Sequence, residues 1–163
     1  MSRYISWLLL LGIAMVPVTG RAQTSCPWLN NATASGVLNA AASLKMQSTA
    51  DNGSVCLFQY QEGSTVYDLQ IVVHDIKSAP GESTADESRC RSHATLLKGI
   101  GNEAILCPVN SEDLYGEQVI GRVRDKKFIV SVGSNLRMNR AVTLEALQLK
   151  ATGIAEQVAG SLF

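Results

Sequence analysis

LLKGIGNEAILC, residues 96–107, is the stretch on which the fold turns. It contains Gly99-x-Gly101-x-x-Ala104, and an acid, Asp125, follows about 20 residues later, the spacing of a dinucleotide-binding loop. Such a loop leaves a strand and opens a helix, because the helix amino terminus holds the pyrophosphate. Here the expected order is reversed. Leu96-Leu97-Lys98 reads as the last turn of a helix, with a cation beside Gly99 in the left-handed conformation. Ile100 is expected to pack back on that turn, and Ala104–Cys107 reads as a short strand ended by Pro108. Amides at a helix carboxyl end sit in a negative partial charge that repels phosphate. No nucleotide and no other cofactor is expected.

Working outward, the upstream helix begins near Ser83, with Asp86 and Glu87 in its first turn and Cys90, Ala94 and Leu97 at helical spacing. Before it come three alternating stretches. Leu44 and Met46 share one face of the first; Cys56, Phe58 and Tyr60 share one face of the second; Tyr67, Leu69, Ile71 and Val73 share one face of the third. Asp51-Asn52-Gly53 and Glu62-Gly63-Ser64 supply hairpin turns between them. A first short helix follows Asn30 or Asn31, either of which can cap it. Downstream, Val119–Arg124 and Lys127–Gly133 read as a hairpin around Asp125-Lys126. Leu147, Ala151, Ile154, Val158 and Leu162 form one stripe of a final helix from about Thr143. The order is αβββ-αβββ-α: an α+β domain over residues 23–163, with an antiparallel sheet of about six strands covered by helices.

The first 22 residues are read as a secretory signal peptide: Arg3, an apolar run from Tyr4 to Val18, then small-x-small at Gly20-Arg21-Ala22. The run is shorter than the ~20 apolar residues a bilayer span needs, so no transmembrane segment is expected. Lipidation at Cys26 is disfavoured, because Gln23 stands where an aliphatic residue belongs and Arg21 intervenes. The whole chain carries 14 Lys and Arg against 14 Asp and Glu, and two of the cations leave with the leader. The mildly acidic remainder has no basic excess to hold nucleic acid. An exported monomer is expected, in the periplasm or outside the cell, with an envelope protein or a small ligand as partner.

Cys26, Cys56, Cys90 and Cys107 are an even set in an exported chain, which favours disulfides. Zinc with His74 and His93 is the rival, but apart from Cys90-x-x-His93 no close Cys/His pair occurs, and no metal is expected. Cys56 shares a face with Phe58, and Cys26 precedes the helix expected to cover that face. Cys107 ends the strand that returns along the helix bearing Cys90. The expected pairs are therefore Cys26–Cys56 and Cys90–Cys107, each tying a helix to its own half of the sheet.

Catalytic chemistry is thinly represented. There is no Gly-x-Ser-x-Gly elbow. Cys90 with His93 suggests a thiol and base at i and i+3, against which stands oxidation of Cys90. His74-Asp75 suggests an oriented base without a nucleophile. Glu82, Asp86 and Glu87 are accounted for by a helix start, and Glu112-Asp113 by a loop. The most suggestive surface is the second hairpin, where Arg122 and Arg124 alternate opposite Val119 and Val123, with Lys126 and Lys127 at the turn. Arg122, Arg124 and Lys127 are the candidate anion-binding residues, weighed against a solvated face whose charge blocks edge pairing. Trp28, Phe58, Tyr60 and Tyr67 are assigned to the core. A non-catalytic binding or accessory protein is favoured over a small secreted hydrolase or thiol enzyme, with no catalytic residue assigned.

Gly99-Ile-Gly-Asn-Glu-Ala104 resembles the Gly-x-Gly-Asp-Glu-Ala turn of several small bacterial envelope families of PsbP/Mog1-like fold. The opening Cys26-Pro-Trp-Leu-Asn30, Cys56-x-Phe58, Arg122–Phe128 and the final Glu156–Phe163 resemble a narrower group of exported bacterial proteins. The resemblance implies an antiparallel sheet with helices and brings no activity, substrate or catalytic residue.

Overall fold

A computed structural model describes residues 25–50, 53–76, 90, 93–111, 114–136 and 143–163. The expected signal segment, residues 1–22, lies outside them. Helix α1 (Asn31–Leu38) starts where the Asn30 side chain accepts from the Thr33 amide at 2.8 Å, and stops where Asn39 turns left-handed at φ 57°. Seven strands follow: β1 (Ser43–Ala50), β2 (Gly53–Glu62), β3 (Thr65–Asp75), β4 (Thr95–Leu97), β5 (Glu103–Asn110), β6 (Tyr115–Val123) and β7 (Lys126–Ser134). Helix α2 (Leu144–Ser161) closes the described chain, its N-cap Thr143 accepting from the Ala146 amide at 3.2 Å.

The strands form one antiparallel sheet in the order β1-β2-β3-β7-β6-β5-β4. Two meanders, β1–β3 and β4–β7, are joined along the single seam between β3 and β7, where Ile71 stands opposite Val130. Register within β1 shifts between Leu44 and Met46.

This corrects the expected αβββ-αβββ-α order. The sheet has seven strands, and two helices lie among the described residues. Thr95-Leu96-Leu97 is not a helix end but an edge strand, paired with β5 from Thr95–Leu106 to Leu97–Ala104. The glycines behind it are a hairpin signal. Gly99 at φ 83° and Gly101 at φ 60° carry the backbone through conformations that side-chain-bearing residues avoid. They return the chain to β5, while Ile100 is buried in the core. Most of the helix expected from Ser83 to Lys98 lies outside the described residues; Cys90 is within them. The β6–β7 turn also shifts: Arg124-Asp125 form it, with Arg124 at φ 55°, and the strand resumes at Lys126.

Both helices cover the same face of the sheet. Side chains alternate along each strand, so Cys56 and Phe58 of β2, Leu69, Ile71 and Val73 of β3, Phe128, Val130 and Val132 of β7, and Val119 and Val123 of β6 share one side and are buried there. Leu29, Ala34, Ala151, Ile154, Ala155 and Val158 meet them from above. Each large apolar side chain buried in this way contributes about 1.5–3 kcal/mol. The segment before α1 meets the final helix, where Gln157 Nε2 donates to the Trp28 carbonyl at 3.4 Å. The opposite face carries a smaller cluster of Cys90, Cys107 and Ile120, with Ala94, Ile105 and Ile129 against it.

The cysteines are bonded as Cys26–Cys56 and Cys90–Cys107, with Cα–Cα separations of 5.8 and 5.4 Å. Such bonds belong to oxidising, extracytoplasmic compartments. No helix among the described residues is long and apolar enough to cross a membrane.

Candidate functional site

The core face ends in a row of a different character. Tyr60 of β2, Tyr67 of β3, Ser134 of β7 and Tyr115 of β6 stand abreast by register, on the same side as the apolar core. The three tyrosines are half-buried, whereas the adjoining row of Phe58, Leu69, Val132 and Glu117 is almost wholly buried. Tyr60 and Tyr67, expected in the core, therefore lie at its margin. Their rings stack with centroids 5.9 Å apart. Ser134 is small, and its hydroxyl donates to the Leu136 carbonyl at 3.1 Å. Ser134 lies between Tyr67 and Tyr115, which stand two strand spacings or about 10 Å apart, and is itself buried.

Glycine shapes this end of the sheet. Gly116 and Gly133 face each other between β6 and β7. A Cβ on either would run into the backbone of the other strand. The two strands approach closely only because neither residue has a side chain.

Glu117 is the residue the sequence reading missed. It lies on the apolar face of β6, between Pro108 and Val132, and is 1% exposed. Burial raises its pKa, and a hydrogen bond from Gln148 of α2 partly offsets the shift. The signal was available: Tyr115, Glu117, Val119 and Val123 have one parity, so carrying the alternation two steps back from Val119 places the carboxyl among apolar side chains.

The expected anion-binding residues are not gathered on one surface. Arg122 and Lys127 are register neighbours on the face opposite the helices, and His74 stands next in the same row. Arg122 is paired with Glu103 across β5–β6 at 2.9 Å. Arg124 is in the turn, its guanidinium 5.8 Å from the ring centroid of Phe163, and its backbone N–H donates to Asn102 Oδ1 at 2.6 Å. Burial lowers the His74 pKa, and the Lys127 charge lowers it further, against a smaller opposing effect of Asp75.

The other candidates separate. Asp75 lies on the opposite side of β3 from His74 and bonds Lys126 at 2.6 Å, so it does not orient the imidazole. All four cysteines are in disulfides, so none is a thiol nucleophile or a thiolate ligand. His93 is exposed. Glu82, Asp86, Glu87, Glu112 and Asp113 lie outside the described residues. No known protein family, curated protein or solved structure matches the chain.

Proposed function

We propose that this chain is an exported, non-catalytic binding protein of the bacterial envelope, and that the margin formed by Tyr60, Tyr67 and Tyr115 is its contact surface. The observation that carries the reading is the half-burial of three tyrosines in one row beside a sealed core. Tyrosine presents an apolar ring and a polar tip, and it loses little conformational entropy when it is covered, which makes it a favoured contact residue. Two disulfides and a core shared by both helices hold that row on a stiff sheet, so its geometry is set before any ligand arrives.

Saturation-transfer NMR against envelope-derived glycans, peptides and small metabolites tests this. The expected result is reversible binding with the ligand recovered unchanged, lost in a Tyr60→Ala, Tyr115→Ala double variant that keeps the parent's circular dichroism. Turnover of a bound ligand, or binding indifferent to both tyrosines, overturns it.

A further inference from the structure

We draw no further inference here: the strongest candidate, the apolar row of Val55, Val72, Ile129, Ile120, Ile105 and Leu96 that crosses the sheet on the face opposite the helices, joins the Cys90–Cys107 cluster at its centre, and nothing among the described residues shows what covers its two ends.

Discussion

Cys56 and Cys107 lie in one sheet and point to opposite sides of it. Cys56 faces the helices and joins Cys26; Cys107 faces the other way and joins Cys90. The two bonds close sequence separations of 30 and 17 residues in different clusters.

Their removal should therefore be additive. Replacing Cys26 and Cys56 by Ser is expected to cost about 3–4 kcal/mol, and replacing Cys90 and Cys107 about 3 kcal/mol. Urea unfolding of the two double variants and the quadruple variant measures this. Coupling well beyond about 0.5 kcal/mol would show that the two faces are not independent.

Glu117 makes stability pH-dependent with a definite sign. Its folded-state pKa is raised above the unfolded value, so its protonated form is favoured by folding. Stability is least affected below the unfolded pKa and is lost as pH rises toward the folded one. Glu117→Gln, neutral at every pH, should match the parent near pH 4 and exceed it near pH 7. Thermal melts at both pH values decide; a constant difference between the proteins contradicts the assignment.

Two glycines should respond oppositely to alanine. Gly153 is exposed within α2 with open space around its Cβ position, so Gly153→Ala should stabilise by about 1 kcal/mol. Gly133→Ala would drive a methyl into the backbone of β6 at Tyr115 and Gly116, and should cost at least about 2 kcal/mol. Denaturant midpoints of the two variants should move in opposite directions.

The basic row on the far face makes a separate prediction. Arg122 and Lys127 adjoin each other, while Arg124 leans on Phe163. Any retention on a sulfonated matrix at low salt should be abolished by charge reversal at Arg122 and Lys127 together. Reversal at Arg124 alone should leave most of it. Equal loss from both variants would indicate a response to net charge and not to a surface.

Much of the sheet was legible because alternation reports a strand with one buried face. Cys56 and Phe58, then Leu69, Ile71 and Val73, announced β2 and β3 in this way. β4 was hidden because three residues with Thr95 and Leu96 exposed carry too little pattern, and Lys98-Gly99 ends a helix as plausibly as it opens a hairpin. The positive φ angles at Gly99 and Gly101 were readable; the elements on either side were not. The tyrosine row was beyond reach for a different reason. Tyr60 and Tyr67 become neighbours through a local turn, but Tyr115 joins them only through the β3–β7 and β6–β7 registers, which no local spacing encodes.

The seam between β3 and β7 has a kinetic consequence. Every other strand pairing joins consecutive strands of the sequence, so each meander can zip from its own turns in microseconds. Setting Ile71 against Val130 is different, since it closes a long loop before any contact rewards the search. The rate of folding is therefore governed at this one line. Substitutions there should slow the approach to the native state, whereas those at the outer strands should chiefly hasten its loss.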